Sequence, residues 1–238
     1  MSSPSVFKRY EIKYLLTDAQ KAAVLSAVET HVEPDSFGRS TIRNIYYDTD
    51  NYRLVRRSLE KPVYKEKLRV RSYRMVTPDD QVFIELKRKF DSVVYKRRAE
   101  ICERDVAAYL AGKIEAPVKS QIIEEIDYFL QFYESLAPKV FLSYEREAFF
   151  GKDDTDLRVT FDENILWRTT DLSLEAEVYG ESLLQPGQTL MEIKTTGGIP
   201  LWMVEVLTRE KLKNTSYSKY GSVYTAMCAD RKGEVIYA

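Results

Sequence analysis

Six segments of this chain set charged side chains at every second position with apolar ones between them. That alternation limits the available folds more than any other feature, because successive side chains of a β-strand point to opposite faces and residues i, i+2 and i+4 share one. In 5–15, Arg9, Glu11 and Lys13 fall opposite Tyr10, Ile12 and Tyr14. In 64–76, Lys67, Arg69 and Arg71 oppose Leu68 and Val70, and in 81–89, Glu85, Lys87 and Lys89 oppose Ile84 and Leu86. In 93–101, Lys96, Arg98 and Glu100 oppose Tyr95, Ala99 and Ile101. In 156–162, Arg158 and Asp162 oppose Leu157, Val159 and Phe161, and in 189–196, Glu192 and Lys194 oppose Met191 and Ile193. Segments 40–48 and 139–149 are further strands by their Val, Ile, Tyr and Phe content.

Helix signals fall between and after these strands. Thr17 is an N-cap for 18–30, a short helix at 105–111 stops at Gly112, and Pro117 opens a helix reaching Ser135. Ile122, Ile123, Ile126, Phe129, Leu130 and Tyr133 form one stripe of that helix, and 202–229 holds one or two more. Thr77-Pro78-Asp79-Asp80 is a hairpin turn. The stretches 50–62 and 163–188 read as irregular, and neither is a linker. The expectation is α+β: a single domain over 1–238, an eight-stranded antiparallel β-barrel with helices packed outside.

Composition narrows the partners. The chain is 31% charged, yet Lys and Arg balance Asp and Glu to a net charge of −1. Nucleic-acid binding through bulk charge is therefore not expected, although a local basic site remains open. Cys102 and Cys228 are too few and too far apart for a disulfide framework. No apolar run approaches the ~20 residues that span a bilayer, and Met1 to Ser5 leads to charge at Lys8 without an apolar core. A cytoplasmic location without direct membrane insertion is expected.

The charged faces admit two accounts. A half-buried sheet carries Lys, Arg and Glu on its solvated side. Alternatively, helices cover the apolar face, the sheet closes and the charges line a lumen just wide enough for one elongated ligand. Nearly unbroken charge, in place of the Thr, Ser and Gln of ordinary exposed strands, favours the second account. Cations crowded in a lumen need a polyanion among them. Phosphate chains fit that need, since guanidinium forks grip phosphate oxygens and ammonium groups supply point charges.

Eight segments now stand in order: Glu11-Ile-Lys13-Tyr14, Ile45-Tyr-Tyr47-Asp48, Leu68-Arg69-Val-Arg71, Ile84-Glu85-Leu-Lys87, Tyr144-Glu-Arg146-Glu-Ala148-Phe149, Leu157-Arg158-Val-Thr-Phe-Asp162, Met191-Glu192-Ile-Lys194 and Tyr217-Ser218-Lys219-Tyr220. Over about residues 5–228 the chain resembles the catalytic domain of the vacuolar transporter chaperone polyphosphate polymerases, in the triphosphate tunnel metalloenzyme superfamily. The resemblance implies an eight-stranded tunnel that binds ATP or triphosphate, uses Mn²⁺ or Mg²⁺ and, in this branch, extends polyphosphate from the ATP γ-phosphate. It implies phosphate-binding catalytic roles for Lys13, Arg69, Arg71, Lys87, Arg158 and Lys219. Lys96, Arg98, Arg146 and Lys194 resemble further tunnel-wall residues, Glu192 the metal-binding carboxylate and Ser218 a hydroxyl near the phosphates.

The hydrolytic branch carries Glu-x-Glu-x-Lys on the first strand, and here the first position is Arg9. Loss of that acid leans away from a triphosphatase, whereas Glu11 keeps hydrolase character. Glu11, Glu85 and Asp162 either hold a second metal or pair with neighbouring cations. The rival functions are a tripolyphosphatase or nucleoside triphosphatase and a non-catalytic polyphosphate-binding module. The sensor domain and membrane helices of the eukaryotic polymerases do not occur in these 238 residues, and a membrane partner protein could supply them. His31, the two cysteines and Gly197-Gly198 build no site, and alternation splits Lys87-Arg88-Lys89 and Lys96-Arg97-Arg98 between two faces. Charge removal at Arg69, Arg71 or Lys219 is expected to abolish triphosphate binding without cost to the fold.

Overall fold

The computed structural model describes residues 10–91, 93–154 and 156–236, with side chains as far as Ala229. Arg9, with the rest of 5–9 and the N-terminal stretch before it, lies outside the described residues. The strands are β1 (Tyr10–Thr17), β2 (Val32–Pro34), β3 (Ser40–Asp48), β4 (Tyr64–Ser72), β5 (Gln81–Phe90), β6 (Val93–Cys102), β7 (Ala137–Gly151), β8 (Arg158–Arg168), β9 (Glu181–Ser182), β10 (Gln188–Thr195) and β11 (Asn214–Thr215). The helices are α1 (Asp18–Val28), α2 (Arg53–Leu59), α3 (Glu103–Leu110), α4 (Gln121–Tyr133), α5 (Leu201–Arg209) and α6 (Lys219–Ile236). The α+β class is as expected.

The eight-stranded barrel is corrected. Among the described residues the ladder has eleven strands, in the order β11-β1-β10-β8-β7-β3-β4-β5-β6, with β2 on β7 and β9 on β8. Its end strands, β11 and β6, do not pair with each other. The added strands β2, β9 and β11 are two or three residues long, too short to carry an alternation. Two compact units divide the chain, one of 10–41, 144–165 and 182–217, the other of 42–143, 166–181 and 218–236.

In the first unit Thr17 closes β1 and caps α1. Its hydroxyl accepts from the Gln20 amide, and the Gln20 side chain accepts from the Thr17 amide. β10 lies between β1 and β8, so Glu11 faces Lys194, which faces Arg158; Lys13 faces Glu192, which faces Thr160. The intervening Tyr14, Val159, Phe161, Met191 and Ile193 form one core with Val24 and Val28 of α1 and Met203 and Val206 of α5.

The second unit repeats the scheme on β4, β5 and β6. Arg69 faces Glu85, which faces Arg98; Lys67 faces Lys87, which faces Lys96. Leu68, Val70, Ile84, Leu86 and Ile101 point the other way and pack with Val106 and Leu110 of α3 and Ile123, Ile126 and Phe129 of α4. Each such side chain contributes about 1.5–3 kcal/mol on full burial, so the apolar stripe holds these helices. α4 begins at Gln121 rather than Pro117 because the Ser120 hydroxyl accepts the Ile123 amide.

α2 lies in a stretch expected to be irregular. The Asp48 carboxylate at the end of β3 accepts the amides of Thr49, Leu54 and Val55, in place of a cap from the N-cap residue Tyr52, whose φ is 57°. No described helix is long and apolar enough to cross a membrane.

Candidate functional site

Burial tests the first of the two accounts of the charged faces. Glu85 is 1% exposed, Asp162 0% and Glu192 7%, so at these three carboxylates the charged faces are not the solvated side of a half-buried sheet. Ionised groups withdrawn from water need partners. Each unit supplies its own.

In the second unit Glu85 gathers four cations. Arg69 donates from Nε and Nη2 to one carboxylate oxygen at 2.9 and 2.7 Å, with Arg71 at 3.9 Å. Lys96 reaches the other oxygen at 2.7 Å, beside Nε of Arg98 at 2.9 Å. The ladder places Arg69 and Arg98 directly opposite Glu85 on either side, so the arrangement follows from register. Burial alone would raise the Glu85 carboxyl, but Arg69, Arg71 and Lys96 outweigh it and hold the group well below the usual carboxylate range. Four cations thus converge on this one carboxylate.

β3 adds three polar side chains that share a face. Asn44 accepts from Nε of Arg71 at 2.8 Å and donates to the Leu142 carbonyl at 2.9 Å. Tyr46 accepts from Nη1 of Arg69 at 3.1 Å. Burial pushes the Tyr46 phenol up, but Arg69, Lys67 and Arg71 together bring it down to about 8. Asp48 accepts the Tyr220 hydroxyl at 3.0 Å.

Ser218 and Lys219 sit at the start of α6. The Ser218 hydroxyl accepts Nζ of Lys67 at 2.9 Å and the Gly221 amide at 3.2 Å. A Cβ at Gly221 would lie 3.0 Å from the Leu59 side chain and 3.1 Å from Oγ of Ser218, so the approach of this turn favours glycine. Lys87 stands between Lys67 and Lys96 in the ladder.

In the first unit Arg146 forks both oxygens of Asp162, at 2.6 and 2.7 Å, and lies over the Tyr144 ring. Lys13 donates to the Tyr217 carbonyl at 2.8 Å, and Arg158 to Asp35 at 3.1 Å. Lys194 lies 3.7 Å from Glu192. Thr160, across the ladder from Glu192, has a buried hydroxyl oxygen with no hydrogen-bond partner among the described residues.

No three His, Cys, Asp or Glu side chains converge on a metal position among the described residues. Mg²⁺ and Mn²⁺ do not need such a cage, since one or two protein oxygens suffice when phosphate and water fill the rest. The Glu192 carboxylate and the orphaned Thr160 hydroxyl fit that requirement. Of the carboxylates named from sequence, Glu11, Asp162 and Glu192 lie in the first unit and Glu85 in the second. Both oxygens of Glu85 and both of Asp162 accept from cations.

Sequence reading assigned no role to Tyr46, Asp48, Tyr220, Lys67 or Thr160. Lys67 was legible from its parity with Arg69, and Asn44, Tyr46 and Asp48 share the period of two. Thr160 sits between Arg158 and Asp162 on the same face of β8.

The scaffold that carries these faces is an antiparallel α+β fold shared with several solved proteins. A candidate adenylate cyclase of Bacillus halodurans is similar at 13% identity and a TM-score of 0.57, over 90% of this chain and 96% of that one. An adenylyl cyclase from Hippeastrum described as having a dominant triphosphatase activity is similar at 15% identity and 0.57, over 91% and 96%. A candidate adenylate cyclase of Vibrio parahaemolyticus matches at 12% identity and 0.51, over 93% and 99%. The chain itself belongs to the VTC domain family, whose model matches residues 8–228. No curated protein matches the sequence.

Proposed function

We propose that the chain is a metal-dependent phosphoryl transferase that builds polyphosphate from the γ-phosphate of ATP. The observation that carries this reading is the convergence of four cations on the buried Glu85 carboxylate, with Lys96 and Arg98 still reaching solvent. Such a cluster is stable when an anion with many oxygens joins it. Family membership over 8–228 supports the polyphosphate branch. That match is unbroken across both units, and β7 and β8 each run through both, which supports reading the chain as a single domain.

Phosphoryl transfer asks the protein for position and charge rather than a covalent intermediate. An oxygen of the terminal phosphate of a growing chain forms the new bond to the γ-phosphorus. The bond from that phosphorus to the β,γ-bridging oxygen breaks, and ADP leaves with the electron pair. Arg69, Arg71, Arg98, Lys87 and Lys96 offset the charge that spreads over the phosphate oxygens. Lys13, Arg146, Arg158, Lys194 and Lys219 are assigned further phosphate oxygens, and Ser218 a hydroxyl contact. When bound, Mn²⁺ or Mg²⁺ supplies further neutralisation of phosphate charge. Glu192, with Thr160, would hold it; Glu11 stands two residues from Lys13, the register partner of Glu192. Glu85 and Asp162 act as the charge partners of their arginines.

Hydrolysis, with water as acceptor, is the second reading. It is favoured by Glu11 on β1 and by the triphosphatase activity described for the similar Hippeastrum protein. Product analysis separates the two. The purified chain is incubated with ATP and Mn²⁺, and products are resolved by gel and phosphate assay. Polymer with matching ADP, lost in Lys87→Ala and Glu192→Ala, is expected. Free phosphate without polymer would make the protein a triphosphatase, and binding without turnover a polyphosphate-binding module.

A further inference from the structure

β4 and β5 treat charge differently on their two faces. On the helix-covered face opposite charges meet: Glu66 faces Arg88 across the ladder, and Glu125 of α4 accepts from both Arg88 and Arg97. Tyr64 and Tyr133 donate to the two oxygens of Glu66. On the charged face, beyond the row of Arg69, Glu85 and Arg98, like charges meet. Lys67 faces Lys87, which faces Lys96, and one pleat further along Lys65 faces Lys89. Like charges directly opposite are destabilising in an antiparallel pair. A sheet that sets opposite charges together on one face and lysine opposite lysine in successive rows on the other is suited to an anion on the second.

The two ends of this face also differ. The row of Arg69, Glu85 and Arg98 contains a carboxylate, whereas the two successive rows toward Lys65 contain none. Lys65 donates to the Ser58 carbonyl near the end of α2 at 3.4 Å. Burial, followed by Lys89, Lys61 and Lys87, holds that ammonium below its ordinary value, so the crowding is felt at the group itself. At about 3.3 Å per residue, four residues of β4 separate the Arg69 row from the Lys65 row by about 13 Å. Three linked phosphates cannot reach across both rows; a long chain can.

We propose that Lys65 and Lys89 form a distal anion subsite that takes phosphates of a long polyphosphate chain lying beyond a triphosphate held at the Arg69 row. The inference rests on the polyphosphate reading above and adds chain-length discrimination to it. The subsite contributes affinity only for ligands long enough to extend past the Lys67 row.

The test compares two ligands by calorimetry without metal: tripolyphosphate, and polyphosphate of several tens of phosphates. In Lys65→Gln/Lys89→Gln, tripolyphosphate affinity is expected to be unchanged, which also reports a folded protein. Long-chain affinity is expected to fall up to about tenfold, with a shallower salt dependence. Lys65→Arg/Lys89→Arg is expected to restore it. Unchanged long-chain affinity, or an equal loss for both ligands, overturns the subsite while the functional reading stands. Failure of the unaltered protein to bind tripolyphosphate both without metal and with Mn²⁺ overturns both.

Discussion

Tyr220 stacks on Tyr46, with ring centroids 4.5 Å apart and planes 13° from parallel. The same Tyr220 donates to Asp48, the carboxylate that also accepts the Leu54 and Val55 amides of α2. The start of α6, which carries Ser218 and Lys219, is thereby tied to β3. Tyr220→Phe keeps the stack and removes one donor from a buried acceptor that retains its backbone amides, so it should cost about 1 kcal/mol. Tyr220→Ala removes the ring as well and should cost about 3–5 kcal/mol. Denaturant unfolding measures both. Tripolyphosphate affinity should follow the loss of the ring, because Lys67 meets Ser218 only while the turn is held.

Tyr46 gives the site a pH dependence. Its folded value of about 8 lies below the ordinary tyrosine value of 10.0. Between these the unfolded chain binds the extra proton, so stability rises with pH. The contribution, about 2–3 kcal/mol, is fully present above pH 10 and is lost as pH falls through 8. The phenolate also competes with phosphate for Arg69, so tripolyphosphate affinity should fall above pH 8. Near-ultraviolet titration should find one tyrosine ionising near pH 8, absent in Tyr46→Phe, which should also lose that fall in affinity. An unaltered titration in Tyr46→Phe would remove the group from the site.

Glu85 and Arg69 revise the expectation that charge removal costs no stability. Arg69 is forked onto a carboxylate that is 1% exposed, and Arg69→Ala leaves that carboxylate with three cations. A loss of about 1–3 kcal/mol is expected, together with loss of tripolyphosphate binding. Glu85→Gln is more severe, about 3–5 kcal/mol, because it removes from Arg69, Arg71, Lys96 and Arg98 the buried charge on which they converge. Tripolyphosphate should then raise the Tm of Glu85→Gln by more than it raises that of the unaltered protein, since the ligand replaces the missing anion. Equal shifts would mean that the ligand does not meet this cluster.

The pattern of charge makes much of this legible in the sequence. Lys67, Arg69, Glu85 and Arg98 share a face because strands have a period of two, and the apolar residues between them meet α3 and α4 for the same reason. What sequence did not reveal depends on distance along the chain. α2 is capped by Asp48, from the end of the preceding strand, not by the residue before it. Tyr46 becomes acidic through arginines on another strand, so its own neighbours give no sign. The short strands β2, β9 and β11 owe their pairing to the strands beside them, and two or three residues cannot display a period. A count of patterned segments therefore fell short of the ladder.

Thr160 and Glu192 yield the remaining prediction, with two parts of opposite sign. A buried hydroxyl without a partner costs free energy, so Thr160→Val, close in shape, should leave the metal-free protein as stable or more so. If the same hydroxyl lies beside a cation held by Glu192, its loss should weaken Mn²⁺ binding in the presence of tripolyphosphate, by about threefold. Glu192→Gln should weaken it by tenfold or more, because a carboxylate is the harder donor. Electron paramagnetic resonance of free Mn²⁺ reads both variants without any turnover. Weakened binding in Glu192→Gln with none in Thr160→Val would keep the carboxylate as ligand and leave the hydroxyl a packing defect of β8. No change in either would place the metal elsewhere.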